Sequence, residues 1–463
     1  MAEPVLLPTT PVTSLDGWLT LGGGEGINRA RSIGPGATVQ EVSLSGLRGR
    51  GGGGFPTGRK WVGVQQDPEA GSDRYVVCNG AEGEPGTFKD RAIMRRNPYQ
   101  VVEGVAIAAL AIEATGAFIA LKERFVPEVE AVTRALAEME AAGLVGDVPV
   151  RIVTGPDEYL FGEEKALLQV IEGDPPLPRM FPPYIHGLFA TAPQMGWSAR
   201  PGDADEDVDA VNPTVVNNVE TLATVAHVLA RGPEWHRSLG TEESPGLMVT
   251  TVVGDTVRAG VAELEMGTPM AEVLERVGGG MPSGREVKAV FSGVANPVLT
   301  PDHLDAPMSY EGLAAAGAGL GSAGFIVYDD TADMVTVARM LSRFLYVESC
   351  GQCPACKLGT GEITACLERL EAAQASSREI EVIGARLRSV TDANRCFLGE
   401  EEQILVSSIL RSYPDDFSAH LEGRVMAPRP YPFPKIVDIT EDGEAVYDER
   451  QTRKRPDWTY EGE

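Results

Sequence analysis

Three cysteines stand two residues apart each time in the C-terminal half of the chain. Cys350, Cys353 and Cys356 lie in "YVESCGQCPACKLGTG" (346–361). Thiolates at C-x₂-C-x₂-C spacing with one remote cysteine are typical of a [4Fe–4S] cluster. Structural zinc normally uses two C-x₂-C pairs, or one pair with histidines, and the five histidines of this sequence form no close pair. The spacing therefore predicts three ligands of an iron–sulfur cluster, with zinc as the alternative.

A fourth ligand must come from elsewhere in the sequence. Cys396, in "TDANRCFLGEEEQ", follows a predicted helix at a turn that can face the triplet. Cys366 lies in "GEITACLERL" with apolar neighbours at helical spacing, which favours core packing. Cys78 ends a predicted strand and is expected to be buried and structural. From the residues alone, these three cysteines and a histidine remain candidates.

A glycine-rich segment, "GLRGRGGGGFPTGRKW" (46–61), has the composition of an anion-binding loop. Glycines let backbone N–H groups approach an anion without obstruction by Cβ atoms, and the segment also carries four cationic side chains. A flexible linker is the alternative, but Phe55, Pro56 and Trp61 are apolar anchors that linkers rarely carry. Because no Gly-Lys-Ser/Thr follows, it is not a Walker loop. A phosphate-bearing cofactor is the predicted ligand.

Two further segments place polar side chains where ligands commonly bind. "CNGAEGEPGTFKDR" (78–91) directly follows a predicted strand, and loops at the carboxyl ends of parallel strands are the usual ligand positions in open α/β sheets. There Asn79 can bond a ring edge, and Glu82 and Glu84 can bind ribose hydroxyls or lie near a reacting centre. A solvated acidic turn is the alternative. In "EYLFGEEKALLQVIEG" (158–173), paired glutamates open an amphipathic helix, where complementarity with the helix dipole is the simpler interpretation.

Short apolar runs surround these segments. "RYVVCNG" (74–80), "GAFIALK" (116–122) and "VPVRIVTG" (148–155) are predicted strands, and "VPEVEAVTRALAEMEAAGL" (126–144) is a predicted helix. Strand, helix and strand in that order imply a parallel sheet. The most apolar window, 101–121, contains Glu103 and Glu113, so it is predicted to be a buried helix leading into a strand and not a membrane span.

The remaining sequence suggests a chain of several domains. Strands at "LMVTTVVGD" and "REVKAVFSG" flank a predicted helix capped by Thr268 with Pro269 at its first position. A tail containing "APRPYPFPK" and a predicted hairpin about Asp442-Gly443 ends the chain, and the acidic segment 198–213 is expected to be a surface loop. The predicted regions are a lead-in (1–40), an α/β domain (41–235), a small mixed domain (246–327), a helical bundle (331–423) and the Pro-rich, acidic tail (424–463).

Composition limits the class of protein. The formal charge of −27 argues against nucleic acid as the main partner, because phosphate contacts require Lys and Arg. No basic, apolar leader opens the sequence. Six cysteines among 463 residues are too few for a disulfide scaffold, and their clustering indicates metal or redox chemistry in a reducing compartment. A cytoplasmic protein without direct membrane insertion is expected.

Taken together and in order, these segments resemble the NADH-binding flavoprotein subunit of respiratory complex I, its F subunit. The family also includes diaphorase subunits of NAD-linked hydrogenases and formate dehydrogenases. The resemblance covers about residues 41–423, and it rests on the glycine loop, "CNGAEGEPGTFKDR", "YLFGEEKALL", "NPTVVNNVETLA" (212–223) and "ESCGQCPACKLGT". It implies an α/β flavin-binding domain with a parallel sheet, a small ubiquitin-like (β-grasp) domain, and a C-terminal helical bundle carrying a [4Fe–4S] cluster.

The resemblance also implies cofactors and site residues. The cofactors are FMN, a [4Fe–4S] cluster and NAD(H), with NADP(H) as an alternative, and the chemistry is hydride transfer from the nicotinamide to the flavin, followed by one-electron steps to the cluster. Glu82 and Glu84 are the catalytic candidates, and Cys396 becomes the expected fourth cluster ligand, with Cys366 as the alternative. The expected flavin and nicotinamide contacts are Gly49, Arg50, Gly51, Gly52, Gly53, Gly54, Phe55, Lys60, Asn79, Glu82, Glu84, Tyr159, Gly162, Glu163, Glu164, Tyr184, Asn217, Asn218 and Thr221.

Three positions depart from the pattern that the family shows. Ala81 stands where an aspartate contacts the flavin, Phe181 replaces a lysine near the dinucleotide, and Gly63 stands where an aromatic residue is usual. They motivate a second hypothesis, an electron-transfer module of the same fold that uses a protein such as ferredoxin as donor or acceptor. In either case, the expected partners are a thioredoxin-like [2Fe–2S] subunit, a multi-cluster iron–sulfur subunit or a ferredoxin. Such partners would place the protein in the cytoplasm or at the inner face of the plasma membrane.

Overall fold

A computed structural model describes residues 4–65, 73–192, 210–424 and 429–462. The chain forms two compact units. Unit 1 comprises Met1–Glu82, Asp90–Asp157 and Phe161–Leu247, and unit 2 comprises Gly83–Lys89, Glu158–Leu160 and Met248–Glu463. Most of the acidic segment predicted to be a surface loop lies outside the described residues.

A parallel sheet of four strands organises unit 1. Its strands are β1 (Tyr75–Gly80), β2 (Gly116–Lys122), β3 (Val150–Gly155) and β4 (Thr214–Asn218), in the order β3-β2-β1-β4. The three strands predicted from the sequence and their parallel pairing are confirmed. The fourth strand was not predicted, because only its first three residues favour a strand and the two asparagines that end it do not.

Helices cover this sheet, and the N-terminal lead-in supplies three of them. The buried helix predicted within 101–121 is confirmed as α6, which leads into β2. Glu103 is tolerated inside it because its carboxylate accepts hydrogen bonds from Trp18 Nε1 at 2.8 Å and from the backbone N–H groups of Gly24 at 2.7 Å and Ile27 at 3.0 Å. The helices of unit 1 are α1 (Leu15–Thr20), α2 (Glu25–Ile33), α3 (Pro35–Leu44), α4 (Thr57–Gln65), α5 (Lys89–Arg96), α6 (Pro98–Ala111), α7 (Val126–Ala141), α8 (Glu164–Ile171), α9 (Val219–Arg231) and α10 (Pro233–Arg237).

Unit 2 begins with a small mixed sheet. Its strands are β5 (Leu247–Gly254), β6 (Gly260–Glu265), β7 (Val287–Ser292) and β8 (Gly324–Asp329), in the order β6-β5-β8-β7. Strand β8 pairs parallel to β5 and antiparallel to β7, and helix α11 (Met270–Gly278) contributes Val273, Leu274 and Val277 to the core of this domain. If the four strands are renumbered 1 to 4 along the chain, their order in the sheet is 2-1-4-3, and α11 packs on them. This is the ubiquitin-like arrangement that the resemblance implied.

The predicted start of α11 was wrong by one residue. Pro269 is the N-cap and Met270 is the first helical residue. Thr268 does not cap the helix, because its hydroxyl donates to the Glu265 carbonyl at 2.7 Å within the preceding turn.

Helices form the rest of unit 2. Ser342, Thr364 and Glu402 connect three of them, with Ser342 Oγ lying 2.9 Å from Thr364 Oγ1 and 2.6 Å from Glu402 Oε1. Among the described residues, no helix combines the length and the apolarity that crossing a bilayer requires. These helices are α12 (Tyr310–Ala315), α13 (Met334–Glu348), α14 (Pro354–Glu371), α15 (Ser377–Leu387), α16 (Leu398–Ser412) and α17 (Pro414–Leu421).

The C-terminal segment, residues 429–462, packs within unit 2. The predicted hairpin is confirmed, because β9 (Ile436–Ile439) pairs antiparallel with β10 (Ala445–Tyr447) around Gly443, whose φ is +80°. Phe433 stacks on Phe344 of α13 with ring centroids 4.9 Å apart. This segment is therefore part of the core of the unit.

Candidate functional sites

The topology of the unit 1 sheet identifies a ligand-binding edge. Strand β1 pairs with β2 on one side and with β4 on the other, while β3 lies beyond β2. The chain order thus reverses between β1 and β4, and ligands of open α/β sheets bind outside the carboxyl ends of strands at such a point. Asn79, the penultimate residue of β1, pairs with Asn218 at the end of β4, and Asn217 precedes Asn218. Three asparagine side chains predicted to bind the cofactor therefore share this edge.

Those side chains are oriented by local hydrogen bonds. Asn79 Nδ2 donates to the Gly162 carbonyl at 2.7 Å, and Asn217 Oδ1 accepts from Trp61 Nε1 at 2.8 Å. Asn218 is the N-cap of α9, with Oδ1 accepting the Glu220 N–H at 3.0 Å, and its Nδ2 donates to Asp90 Oδ2 at 2.7 Å. Each amide is thus held in one orientation.

The glycine-rich segment folds into a tight loop within unit 1. Gly49 N–H donates to the Phe55 carbonyl at 2.8 Å, and Thr57 N–H donates to the Leu47 carbonyl at 2.9 Å. The turn between them requires left-handed backbone at Gly52 (φ +121°) and Gly54 (φ +59°), which favours glycine at both positions. A Cβ atom on Gly51 would stand 3.2 Å from Asn218 Cβ, and one on Gly53 would meet no atom within 4 Å. The loop is therefore compact and glycine-dependent, which a flexible linker is not.

Arg50 of this loop is fully buried and incompletely paired. Its backbone N–H donates to Thr221 Oγ1 at 2.9 Å, and Nη2 donates to the Pro245 carbonyl at 3.1 Å. Nε and Nη1 have no hydrogen-bond partner among the described residues. A buried guanidinium with free donors costs folding free energy unless an anion binds it, so this residue fits a phosphate-bearing cofactor such as FMN.

The start of helix α8 contributes two carboxylates to unit 1. Glu163 is the N-cap, and its Oε2 accepts from the N–H groups of Lys165 and Ala166, both at 3.0 Å. Burial raises the pKa of Glu163 to about 7. Lys60 Nζ donates to Glu164 Oε2 and to the Val216 carbonyl, each at 2.9 Å, so the loop lysine is fixed beside β4.

Glu82 has a structural partner in unit 1. Its Oε2 accepts from Arg91 Nε at 2.7 Å, and its Oε1 accepts the Asp90 N–H at 3.0 Å. Both side chains of the ion pair are nearly inaccessible to solvent. Since each carboxylate oxygen of Glu82 already has a donor, a catalytic or ribose-binding role for this residue stays a prediction that these contacts do not strengthen.

Glu84 falls in unit 2, where it shares a hydroxyl group with a second carboxylate. Tyr159 Oη lies 2.6 Å from Glu84 Oε2 and 3.1 Å from Glu401 Oε1. Glu84 Oε1 accepts the Val294 N–H at 2.6 Å. Burial raises the pKa of Glu84 and raises that of Tyr159 well above its ordinary value. No local pattern singled out Glu401, because it stands within the acidic first turn of a helix.

The other predicted contacts are more exposed. About half of the side-chain surface of Phe55 and of Tyr184 is accessible, and the Arg59 guanidinium carbon lies 5.9 Å from the Phe55 ring centroid. Of the three departures, Ala81 packs in an apolar cluster with Val77 and Phe161. A Cβ atom on Gly63 would meet no neighbour within 4 Å, so no close contact requires glycine there.

The cysteine triplet extends from the loop after α13 into the first turn of α14 in unit 2. Cys353 is the N-cap of α14, and Pro354 at the first helical position lets the helix begin directly inside the motif. Ser349 Oγ lies 3.4 Å from Cys356 Sγ, and Gln352 Nε2 lies 3.6 Å from Cys350 Sγ. Hydrogen bonds to the sulfur atoms influence the reduction potential of an iron–sulfur cluster.

The geometry favours Cys396 over Cys366 as the fourth ligand. The Arg395 N–H donates to Cys353 Sγ at 3.3 Å, so the residue before Cys396 lies at the triplet. Cys366 follows Cys356 by ten residues on the same helix, about 15 Å along its axis, and it is fully buried with Arg369 Nη2 at 3.1 Å from its sulfur. Core packing, the role expected for Cys366, agrees with these contacts.

The number and spacing of the cysteines are those of [4Fe–4S] ligands. Among the described residues, no three His, Cys, Asp or Glu side chains are arranged to hold one metal ion. A [4Fe–4S] cluster does not require that arrangement, because each thiolate binds a different iron. Burial raises the pKa of the Cys356 thiol to about 11, and it ionises on binding iron.

Comparison with known proteins identifies the family. Residues 42–227 match the model of the Nuo51 FMN-binding domain, and residues 336–420 match that of the NADH-ubiquinone oxidoreductase-F iron-sulfur binding region. One F subunit of NADH-quinone oxidoreductase from Rhizobium meliloti, numbered 2, is 37% identical over 92% of this chain and 99% of its own length. The F subunit of the Mycobacterium bovis enzyme is 35% identical over 87% of this chain and 88% of its own length. The chain belongs to this F-subunit family.

A solved structure supports the same fold for this F-subunit homologue. The crystal structure of an NAD⁺-reducing [NiFe]-hydrogenase in the H₂-reduced state matches with a TM-score of 0.73 and 31% identity, over 91% of this chain and 68% of that chain. The predicted fold class is confirmed: a parallel-sheet flavin-binding domain and a helical iron–sulfur domain. The predicted cofactors, FMN, a [4Fe–4S] cluster and NADH, are those that the family models indicate.

Proposed function

We propose that this protein oxidises NADH at FMN and passes the electrons to its [4Fe–4S] cluster and on to a partner protein. FMN supplies the two-electron chemistry, because it accepts a hydride and releases its electrons one at a time. The chain supplies binding, orientation and electrostatics. The observation that carries the proposal is the ligand-binding edge of the unit 1 sheet, where a fully buried arginine with free donors lies in a glycine loop beside Thr221.

We assign the flavin to that edge. The free donors of the Arg50 guanidinium and backbone N–H groups of the loop would hold the phosphate, and the family resemblance adds Gly49 as a contact. Lys60 and the oriented asparagine amides would fix the ring and the ribityl chain. The remaining contacts are assigned by family resemblance and stay proposals: Gly51, Gly52, Gly53, Gly54, Glu82, Tyr159, Gly162, Glu163, Asn217, Asn218 and Thr221.

We assign the nicotinamide to Glu84, while Phe55, Glu164 and Tyr184 stay contacts that only the family resemblance implies. Glu84 is held from both sides, by the Tyr159 hydroxyl on Oε2 and by the Val294 N–H on Oε1. A carboxylate fixed in this way can accept a hydrogen bond from a carboxamide without reorganising. Both oxygens of Glu84 and both oxygens of Glu82 already have donors, so hydrogen bonding does not rank these two catalytic candidates, and the choice of Glu84 rests on the family resemblance.

We assign the cluster to Cys350, Cys353, Cys356 and Cys396. Electrons must leave it through a partner, and two large apolar side chains next to these ligands support such docking. Leu358, two residues after Cys356, is 69% exposed, and Phe397, directly after Cys396, is 52% exposed. The expected partner is a thioredoxin-like [2Fe–2S] subunit, a multi-cluster iron–sulfur subunit, or both, with a ferredoxin as the alternative.

The proposed location follows from the proposed partners. The relatives are named as subunits of NADH-quinone oxidoreductases, so this chain would work in the cytoplasm. It would reach the inner face of the plasma membrane only through other subunits.

A second candidate function changes only the electron donor. Ala81 packs in the apolar core and brings no polar group to the flavin edge, which supports a module reduced by a protein such as ferredoxin. Anaerobic stopped-flow mixing of the holoprotein with NADH, NADPH or reduced ferredoxin separates the two. Rapid and complete bleaching of the flavin by NADH supports the first function, and bleaching by ferredoxin alone supports the second.

A further inference from the structure

Lys357 follows a cluster cysteine and is fixed in place by three backbone carbonyls of unit 2. Its Nζ donates to Ser349 O at 2.7 Å, to Tyr346 O at 3.2 Å and to Pro456 O at 2.6 Å. An ammonium group has three donors and no acceptor, so all three are used. Two of these carbonyls belong to the C-terminal end of α13, where helix carbonyls lack intrahelical partners and attract cations.

The third carbonyl belongs to the C-terminal segment, which is anchored next to it. Lys454 and Glu348 form a fully buried ion pair at 2.8 Å. Arg343 Nη2 donates to the Lys454 carbonyl at 2.9 Å, and the Arg455 N–H donates to the Thr459 carbonyl at 2.8 Å. Pro456 is therefore held by a rigid turn, and that turn determines where the ammonium of Lys357 stands.

The charge of this ammonium acts on the cysteine triplet. The Ser349 carbonyl that binds this ammonium directly precedes Cys350, and Ser349 Oγ lies 3.4 Å from Cys356 Sγ, so the charge stands beside two of the thiolates. Reduction of an iron–sulfur cluster adds one negative charge, and a nearby fixed positive charge favours the reduced form. Arg395 Nη1 donates to Gln352 Oε1 at 2.9 Å, and Gln352 Nε2 lies 3.6 Å from Cys350 Sγ.

We propose that Lys357, held in place by the C-terminal segment, raises the reduction potential of the [4Fe–4S] cluster. This inference rests on the proposed function, because it concerns the cluster that receives electrons from the flavin. Lys357 acts as a positioning residue through the thiolates and binds no iron. It gives residues 429–462 a role in electron transfer, since they hold the charge beside the cluster.

The experiment is a redox titration of the full-length holoprotein with chemical mediators, followed by electron paramagnetic resonance of the reduced cluster. The variants are Lys357→Met, Lys357→Gln and Lys357→Arg. Loss of the charge should lower the midpoint potential by up to about 59 mV, a tenfold change in the one-electron equilibrium constant. Lys357→Arg should titrate close to the unmodified protein, because it keeps the charge.

Lys288→Met is the matched control. Lys288 is also half-buried in unit 2, and its Nζ donates to Ala332 O at 2.6 Å and to Asp416 Oδ2 at 2.7 Å. This variant should leave the cluster potential unchanged. An equal shift in Lys288→Met would overturn the inference, since it would reflect net charge and not position.

An unchanged potential in Lys357→Met or Lys357→Gln, with iron content intact, would also overturn the inference. If Lys357→Met fails to retain its cluster, Lys357→Gln carries the test, because its neutral amide keeps two of the three N–H donors. Because the mediators exchange electrons with the cluster directly, the titration does not depend on flavin reduction by NADH. A protein with the expected shifts whose flavin is not reduced by NADH would therefore contradict the proposed function and leave this inference standing.

Discussion

The Tyr159 hydroxyl donates a 2.6 Å hydrogen bond to the Glu84 carboxylate and lies 3.1 Å from Glu401. One phenol therefore serves two carboxylates in unit 2. Burial raises the pKa of Glu84, and the bond from Tyr159 lowers it. The hydroxyl thus helps to keep Glu84 ionised, and its removal has a predictable effect on pH dependence.

Tyr159→Phe should shift the acid limb of the kcat/KM profile for NADH to higher pH. Without the hydroxyl, the pKa of Glu84 rises further, so a higher pH is needed to ionise the carboxylate that we assign to the nicotinamide. The measurement is steady-state NADH oxidation with an artificial acceptor across pH. Tyr75→Phe, which removes a hydroxyl beside Asp73, is the control and should not move the profile. An unchanged acid limb in Tyr159→Phe would argue against the role of Glu84.

Arg50→Met should weaken FMN binding and stabilise the flavin-free protein. Hydrogen bonds to charged groups contribute about 1.5–3 kcal/mol, so the FMN dissociation constant should rise roughly 10- to 100-fold. The free energy of unfolding of the flavin-free protein should rise by about 1–3 kcal/mol, because buried donors without partners are removed. Fluorescence titration with FMN and urea unfolding measure the two effects. Destabilisation of the flavin-free protein would mean that Arg50 is a structural residue.

The same arginine affects a histidine nearby in unit 1. Burial and the Arg50 charge lower the pKa of His236 to about 4, and its Nδ1 contacts the Ser45 carbonyl at 2.9 Å. In Arg50→Met, the His236 pKa should rise, which nuclear magnetic resonance of the flavin-free protein can measure. An unchanged His236 pKa would show that the Arg50 charge does not contribute to the shift.

Cys396→Ser should lose the cluster, and Cys366→Ser should retain it. The backbone N–H of Arg395, next to Cys396, donates to Cys353 Sγ. Cys366, in contrast, lies about 15 Å from Cys356 along the axis of α14. Iron content and the paramagnetic signal of the reduced protein give the result. Loss of iron in Cys366→Ser with full retention in Cys396→Ser would reverse the assignment.

Glu163 should make the flavin-free protein less stable as the pH rises from about 4.5 to about 7. Burial raises its folded pKa to about 7, so in this range the folded state binds more protons than the unfolded state and stability falls with pH. Glu163→Gln should remove this part of the slope in thermal unfolding measured across pH. Glu130→Gln, on the exposed face of α7, should keep the slope, and a slope retained in Glu163→Gln would contradict the prediction.

The strands and most helices could be predicted because their patterns are local. β1, β2 and β3 are short apolar runs, and α7 and α13 have regular helical spacing. The cysteine triplet and the glycine loop were also visible, because their residue types are rare at such spacing. β4 escaped prediction because its apolar run is only three residues long and is followed by two asparagines.

The contacts between distant residues could not be predicted. The Glu401–Tyr159 contact joins residues 242 positions apart, and no local pattern encodes it. The tail sequence indicates a Pro-rich, acidic end, yet Lys454 forms a buried ion pair with Glu348. Glu82 was predicted to bind ligand from its position in the loop after β1. In the structure its carboxylate instead forms an ion pair with Arg91 of the same unit.

The Glu348–Lys454 pair should be essential to the stability of unit 2. Burial alone would raise the pKa of Glu348, but the Lys454 charge lowers it below its ordinary value. Removing one partner leaves a buried charge, so Glu348→Gln or Lys454→Met alone should each cost about 3–5 kcal/mol of unfolding free energy. The double variant should cost clearly less than the sum of the two, because both charges are gone.

Urea unfolding measures the free energy of unfolding of all three variants. The control is Glu272→Gln, in the exposed pair with Arg276, which should change this free energy by less than about 0.5 kcal/mol. Additive losses in the double variant would mean that the two side chains stabilise the unit independently.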